Sequence, residues 1–262
     1  MFDIFKPFKA KKKKPQNVKS DIEPIRYITI RGYTVGYFLK RSRRKTISFS
    51  VKPNGLEIKA PLFTRLNYIE NCIVQKFDWI YVHLKKIEER KAYCQNALQE
   101  RIIPYLGHEI TFRVVPGQCE SILKDNVLYL AYPKNKEVSE EGIRLALRKW
   151  YKSVAQIYLT NLIRDRLMKV VFPRYPFTQF RLSSAYKSRL GSCTTKGVVS
   201  ISWKTLFLEE SLIEYIVSHE LAHLTEMNHS HRFWELVSQY CPNWQYCEKQ
   251  LKTKGIVLQF LD

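Results

Sequence analysis

The chain has 262 residues, of which 45% are hydrophobic, so it is long enough to bury the core of one large domain or two small ones. Its apolar runs are shorter than the about 18 residues that a membrane-spanning helix needs, and its first residues lack the apolar segment of a secretory signal. Six scattered cysteines without a Cys-x-x-Cys pair predict free thiols and a cytoplasmic protein without membrane insertion.

The net charge of +20 favours polyanionic partners such as nucleic acid, nucleotides or anionic lipid. Residues 1–24 are rich in lysine and contain several prolines, which predicts a disordered basic tail. A second basic segment contains Lys40, Arg41, Arg43, Arg44 and Lys45. We expect nucleotide or nucleic-acid contacts at the tail and at this loop, although a solvated tail and loop would explain the charges equally well. The sequence does not interleave aromatic and basic residues as known nucleic-acid-binding modules do.

Residues 25–135 predict a β-rich region with one long helix. Alternating apolar and polar residues indicate four strands, at residues 26–30, 34–39, 46–51 and 56–60. Pro53, Asn54 and Gly55 predict a hairpin turn between the last two strands, and we expect the four strands to form a β-meander. Thr64 is a candidate N-cap of a helix that continues to about residue 98. The apolar face of this helix would contain Ile69, Ile73, Phe77, Ile80 and Leu84.

Residues 136–262 are expected to form the metal-binding catalytic region, after two strands at residues 110–115 and 127–130. Ser139 is the predicted N-cap of a helix that reaches about residue 171, and the apolar stripe of this helix indicates core packing. The stripe contains Ile143, Leu147, Trp150, Val154, Ile157 and Leu162. Later segments predict strands at residues 180–184 and 198–201 and helices at residues 210–226, 232–237 and 244–252. No internal sequence repeat is evident.

The most informative segment is His219-Glu220-Leu221-Ala222-His223, which follows an apolar run that predicts a helix. Residues four apart share one face of a helix, so the imidazoles of His219 and His223 can bind the same metal ion. Glu220 would lie beside them, where a carboxylate can act as general base on a water held by the metal. This spacing is typical of zinc hydrolases.

His229 is the candidate third ligand, since four of the six histidines fall between residues 219 and 231. Its separation from His223 is too long for one helical face but suits a chain that turns back. Asn228 and Ser230 favour such a turn and the N-cap of the next helix. The alternative is an accidental match to a short motif, which would require neither the helical context nor a third histidine nearby.

Other residues near the motif have two interpretations each. His231 could replace His229 or donate to an oxyanion, but we expect it to face solvent, and we expect the same of Glu235. Tyr215 lies one helical turn before the motif and is predicted to be a core residue. Cys193 as a fourth ligand would close the site and abolish hydrolysis, which would leave the motif glutamate without a role.

Five segments, read in order, resemble one family. They are Arg41-Ser42-Arg43-Arg44-Lys45-Thr46-Ile47-Ser48, Lys76-Phe77-Asp78-Trp79-Ile80, Arg189-Leu190-Gly191-Ser192-Cys193, the run from Glu214 through the motif, and Asn228-His229-Ser230-His231-Arg232-Phe233-Trp234. Together they resemble the YgjP-like metallopeptidase family, a group related to the SprT-like zincins, over roughly residues 26–258. The chain departs from the family pattern at Leu190, where tryptophan is usual, and we expect a packing difference there.

The resemblance implies a zincin-like catalytic domain of the α+β class, here with an N-terminal β-meander and long helices. It implies that His219, His223 and His229 bind Zn2+ and that Glu220 is the general base. The implied activity is the cleavage of peptide bonds in a protein or peptide substrate.

Three other functions stay open on the sequence alone. The same metal site could hydrolyse a nucleotide phosphoanhydride, although the chain has no glycine-rich phosphate-binding loop. A nucleic-acid-associated, SprT-like protease would dock through the basic segments, and its binding would weaken with salt. A binding module with a purely structural zinc would unfold on metal removal and show no hydrolysis. Nothing in the sequence indicates an oligomeric state.

Overall fold

The computed structural model describes residues 25–52, 54–168, 174, 176–184 and 189–261. These residues form eleven strands and six α-helices, which confirms the α+β class. Contacts between Cα atoms divide them into two compact units, with the boundary between Ala92 and Tyr93. The predicted disordered tail at residues 1–24 lies outside the described residues. No helix within the described ranges is both long and apolar enough to cross a lipid bilayer.

The N-terminal unit, residues 25–92, contains a four-stranded sheet. Its strands are β1 (Arg26–Ile30), β2 (Tyr33–Ser42), β3 (Ser48–Lys52) and β4 (Gly55–Pro61). The order is β1-β2-β4-β3, with β2 and β4 parallel and the other pairs antiparallel. The predicted β3–β4 hairpin forms, but the predicted meander does not. β4 takes the interior position because its alternate residues Leu56, Ile58 and Ala60 are fully buried, whereas no residue of β3 is.

Helix α1 (Leu66–Gln75) and the start of α2 (Phe77–Gln99) cover one face of this sheet. The single long helix predicted from Thr64 is therefore interrupted, at Lys76. The backbone N–H of Lys76 donates to the carbonyls of Cys72 and Ile73, which closes α1 while the apolar positions of both helices stay against the sheet. The shared core contains Ile30, Val35, Tyr37, Leu39, Leu56, Ile58, Ala60, Ile69, Ile73, Phe77 and Ile80.

The C-terminal unit, residues 93–261, contains a second sheet of the same topology. Its strands are β5 (Ile102–Tyr105), β6 (His108–Pro116), β7 (Ile122–Lys124) and β8 (Val127–Tyr132). The order β5-β6-β8-β7, with β6 and β8 parallel, repeats that of the first sheet. The first turns also match, because Arg31-Gly32 and Leu106-Gly107 each place two successive residues at positive φ. The fold thus contains a repeat that the sequence does not reveal.

The second sheet belongs to the C-terminal unit because it shares a core with α3 (Glu140–Leu167). Phe112 of β6 lies in the same hydrophobic cluster as Leu147 of α3. The chain consequently divides at residues 92 and 93, and not at residues 135 and 136 as predicted.

Helix α3 begins as predicted after Ser139, whose Oγ accepts a hydrogen bond from the Gly142 N–H. The buried side of the helix differs from the predicted stripe at Ile157, which is 64% exposed. Buried residues recur every four positions, so the buried stripe winds around the helix and leaves Ile157 outside it. These residues are Leu147, Tyr151, Ala155, Leu159 and Ile163.

The remaining elements of the C-terminal unit pack around α4 (Glu210–Ala222). A third sheet has the order β10-β11-β9, with β9 (Gln179–Ser183), β10 (Gly191–Cys193) and β11 (Val198–Ser202). Helices α5 (His231–Tyr240) and α6 (Trp244–Leu251) follow α4. Arg166 of α3 pairs with Glu214 of α4 at 2.7 Å and donates to the Tyr240 carbonyl of α5 at 3.3 Å. One guanidinium therefore connects three helices.

Replacement of Gly142 by alanine is expected to destabilise the start of α3. A Cβ there would lie 2.1 Å from the Tyr132 hydroxyl oxygen, which donates to the Glu137 carbonyl and accepts from the Ser139 N–H. Overpacking costs about 1–3 kcal/mol, which exceeds the about 1 kcal/mol that alanine gains in helix propensity. Thermal unfolding should show a lower midpoint for Gly142→Ala. Gly255→Ala is the control, because a Cβ at Gly255 meets nothing within 4 Å; equal midpoints would contradict the steric argument.

Candidate metal centre

Helix α4 is buried along nearly its whole length, including the positions that carry polar groups. Ser218, His219 and Glu220 are each at most 1% exposed, and His223 at the helix end is 8% exposed. Burial of polar and ionisable groups costs free energy unless they are satisfied by partners. Such a cluster inside a protein is accordingly a candidate for function.

The chain reverses direction directly after α4. The helix ends at Ala222, earlier than the predicted residue 226, and the N–H groups of residues 224–226 bond to the last helical carbonyls in a tight turn. Ser230 is the N-cap of α5, as predicted, and its Oγ accepts from the Phe233 N–H at 3.4 Å. The reversal brings His229 next to the two motif histidines.

His219, His223 and His229 form a triangle of imidazole rings. The ring centroids are 5.0 to 5.1 Å apart, and the ligand nitrogens all lie within 4.8 Å of one another. The Nε2 atoms of His219 and His229 are 3.1 Å apart. Nδ1 of His223 lies 2.9 Å from the Glu226 carbonyl oxygen. A carbonyl can only accept, so this Nδ1 carries the proton and Nε2 of His223 keeps its lone pair.

The ring of Phe233 packs against all three imidazoles. Its centroid lies 4.8 Å from that of His219, 4.5 Å from that of His223 and 4.7 Å from that of His229. Trp234 stacks on His229 and, at 4.1 Å, on Trp244. Phe233 is fully buried, so it fixes the three imidazoles in one arrangement.

Burial keeps the two helical imidazoles neutral. Desolvation, together with the neighbouring imidazoles, lowers the pKa of His219 well below its ordinary value, and burial lowers the pKa of His223 to about 4. A neutral imidazole has the lone pair that binds a metal ion. The two side chains are therefore in the ligand form at neutral pH.

The carboxyl group of Glu220 lies against strand β10. A Cβ on Gly191 would be 2.5 Å from Glu220 Oε1 and 2.6 Å from its Cγ, so only glycine leaves room for this side chain. Oε1 is buried and has no hydrogen-bond partner among the described residues. Burial raises the pKa of Glu220 to about 8, and the positive charge of Arg189 acts in the opposite direction. A cation held by the three imidazoles would likewise favour the ionised carboxylate.

Four other candidate residues stand outside the triangle. The His231 side chain is 91% exposed and pairs with Glu235 at 3.2 Å, so both face solvent as expected. Tyr215 is fully buried in the core and packs edge-on against a motif imidazole. Cys193 is not in the donor group that the described residues form, and burial raises the pKa of its thiol to about 12. Cys193 therefore lies outside the histidine cluster.

A family model described as the YgjP-like metallopeptidase domain matches residues 45–254, which include the histidine triangle and Glu220. The chain belongs to the YgjP-like metallopeptidase family. No curated protein and no solved structure matches it. Family membership makes the chain a hydrolase of the metallopeptidase type and implies a metal ion. The three histidines are the donor group among the described residues that can hold one.

Sequence reasoning missed three features of this YgjP-like centre. The contact of Gly191 with Glu220 joins two elements that are distant in sequence, and no local pattern reveals it. The hydrogen bond from His223 to the Glu226 carbonyl depends on the tight turn after α4. The position of Phe233 could have been predicted from the sequence. It lies in the first turn of a helix whose N-cap, Ser230, directly follows the candidate ligand His229.

The Gly191→Ala variant is expected to displace Glu220 and to destabilise the protein. The backbone of Gly191 is outside the left-handed region, so the effect of the added Cβ is steric. In a Glu220→Ala background the three closest atoms are gone, and the same substitution should cost close to nothing. Unfolding free energies of the four proteins form a double-mutant cycle, with an expected coupling of about 1–3 kcal/mol. Additive effects would show that a neighbour other than Glu220 requires the glycine.

Proposed function

We propose that this protein is a zinc-dependent metallopeptidase with His219, His223 and His229 as zinc ligands and Glu220 as the general base. The observation that carries the proposal is the convergence of three imidazoles, together with the buried carboxyl oxygen of Glu220, the residue after His219, which has no hydrogen-bond partner among the described residues. Buried polar atoms without a partner are uncommon in proteins, and each one calls for an explanation.

The donor set fits zinc. Three histidine nitrogens with an open fourth position are a typical ligand set of catalytic zinc. Two nitrogens at about 2.0–2.1 Å from one zinc ion lie about 3.3 Å apart in tetrahedral geometry, close to the 3.1 Å between Nε2 of His219 and Nε2 of His229. The Glu226 carbonyl fixes the tautomer of His223, as outer partners of zinc-binding histidines do.

Bound zinc supplies Lewis acidity, which polarises a carbonyl group and acidifies water. Glu220 supplies the base. Its Oε1 can accept the proton of a water molecule that attacks the substrate carbonyl carbon, and it can then return this proton to the leaving amine nitrogen. Gly191 keeps the carboxyl group in place for both transfers, because any side chain there would collide with it.

Strand β10 supports a peptide as the substrate. Among the described residues it pairs only with β11, so its other edge offers backbone N–H and C=O groups for hydrogen bonding. An extended peptide that pairs with this edge would be bound through its main chain. Such a peptide would run past Glu220, because Gly191 of β10 contacts that carboxyl group.

Zinc binding is expected to require His229 and not its neighbour His231. The two side chains are both exposed, so their replacement by alanine leaves the core intact. Dialysis against buffered zinc followed by metal analysis should give one zinc per chain for the wild type and for His231→Ala. His229→Ala should bind at least about 100-fold more weakly, since loss of a ligand exceeds the 10–100-fold effect of losing an outer partner. Equal zinc contents of the two variants would rule out His229 as a ligand.

Peptide cleavage is expected to require Glu220. The test uses zinc-loaded wild type, Glu220→Gln and, as the matched control, Glu235→Gln, whose carboxyl group is on the surface. An unfolded protein with mixed peptides forms one substrate pool, and nucleoside triphosphates form the other. Glu220→Gln should lose about 10²- to 10⁴-fold in peptide cleavage while its zinc content is unchanged, because a general base contributes that much. Full activity of this variant would refute the role of Glu220; phosphate release that depends on Glu220 would instead identify a nucleotide hydrolase.

A further inference from the structure

The sheet of the N-terminal unit has one face that is not covered by any helix among the described residues. Alternate residues of β2 and β4, such as Tyr37 and Ile58, face the helices and form the core. The residues between them point to the opposite side, because successive side chains of a strand alternate. We call this side the open face, and its residues are Tyr27, Thr29, Thr34, Gly36, Phe38, Lys40, Ser48, Ser50, Lys52, Gly55, Glu57 and Lys59.

Two aromatic rings lie on the open face. Tyr27 is 68% exposed, although a tyrosine ring has much apolar area to bury. It is paired with Gly36, and its Cε1 atom would be 3.2 Å from a Cβ at that glycine, so the ring lies directly over the backbone of β2. Phe38 follows Gly36 by two residues on the same face, and its Cε2 atom would lie 3.8 Å from a Cβ at Gly55. The Tyr27 ring is thus exposed, and the Phe38 ring is half-buried.

Positive charge lies next to the rings. Lys40 and Lys59 are opposite each other in the β2–β4 register. Like charges in such a position are destabilising. Lys52 and Lys59 flank Glu57 and both pair with its carboxylate, so two lysines share one negative charge. The whole of residues 25–92 has 15 Lys and Arg against 5 Asp and Glu, and the open face therefore lies in a strongly positive unit.

The second sheet shows that the fold does not require Tyr27, Lys40 or Lys59, although Lys52 has a counterpart in Lys124. Its topology and register are the same, so positions can be matched one by one. Val115 and Ala131 take the places of the opposed lysines Lys40 and Lys59. Thr111 takes the place of Gly36, next to Ile102 in the place of Tyr27. The second sheet has neither the repulsive lysine pair nor the exposed tyrosine ring. These features are therefore not needed for folding, and we look for their explanation in function.

We propose that the open face binds single-stranded nucleic acid, with bases stacked on Tyr27 and Phe38 and phosphates contacted by Lys40, Lys52 and Lys59. Aromatic side chains within a cationic surface are how sheet proteins bind unpaired bases, since every base has a face that can stack. Strands about 4.8 Å apart give a four-stranded face room for roughly two to four nucleotides. A duplex would satisfy the lysines but would leave the rings unused, because its bases are already stacked. This binding is independent of the metal centre and of the proposed peptidase activity.

Binding of the full chain to a fluorescein-labelled 15-nucleotide oligo(dT) is the first test, measured by anisotropy over a range of salt concentrations. Tyr27→Ala should weaken binding about 5- to 150-fold, the range expected for the loss of one base–aromatic stack. Tyr27→Phe should bind as the wild type does, because it keeps the ring. Tyr68→Ala is the matched control, since Tyr68 is 62% exposed in the same unit but lies on α1. Equal binding by Tyr27→Ala and Tyr68→Ala would overturn the proposal.

The contribution of the lysines to binding is measured separately, through the salt dependence of the binding constant. Replacement of Lys40 and Lys59 by glutamine should reduce the slope of log K against log salt by about 1.4, which corresponds to two phosphate contacts on a single strand. Replacement of Lys85 and Lys86 on α2, also exposed, should leave the slope unchanged. Other charged regions contribute equally to all variants and cancel in these comparisons. Stronger binding to a 15-base-pair duplex, or binding only to vesicles with anionic lipid, would refute a single-strand site on this face.

Discussion

The burial of α4 is the constraint on which the C-terminal unit depends. Helix α3, the third sheet, α5 and α6 all contact this one helix, and Arg166 connects three of the helices through two bonds. Polar ligands on such a helix must be matched by polar partners, because water cannot reach them. The carbonyl of Glu226 meets part of this demand for His223, and the ring of Phe233 only packs against the imidazoles. A metal ion would meet the rest, so metal affinity and folding stability are linked in this unit.

The parts of the site that sequence predicts are those set by local geometry. Residues four apart on a helix meet one another whatever surrounds them, which is why the pairing of His219 with His223 can be read directly. The caps at Ser139 and Ser230 are equally local, since each side chain bonds a backbone N–H three residues on. Strand order and the break at Lys76 depend instead on which surfaces the rest of the chain buries. Periodicity placed Ile157 in the core because it assumes a straight stripe, whereas the buried stripe of α3 winds around the helix.

Comparison of the two four-stranded sheets distinguishes the positions at which the fold requires a certain kind of residue from those at which many residues are tolerated. Inward positions stay large and apolar, with Tyr37 and Leu56 of the first sheet in the places of Phe112 and Leu128 of the second. Most outward positions differ between the two sheets, as expected where packing does not decide the residue, although Lys52 is matched by Lys124. Because the two sheets share register but little sequence, the repeat becomes visible only when strand pairing is known. A duplicated topology therefore works as an internal control: residues on the outer face of one copy are not explained by the fold if the other copy lacks them.

Charge on a sequence does not equal charge available for binding. The sequence predicts one docking loop at the basic run that begins at Lys40, but the side chains of this run make different contacts in the structure. Arg41 donates to the carbonyls of Leu62 and Thr64, so its guanidinium secures the end of β4 and the entry to α1. Lys40 lies at the end of β2 and points to the open face, where lysines far from it in sequence join it. Neighbouring side chains of a strand point to opposite faces of the sheet. The basic residues of this run therefore do not form one binding surface, and the cationic surface of the sheet is not evident from the sequence.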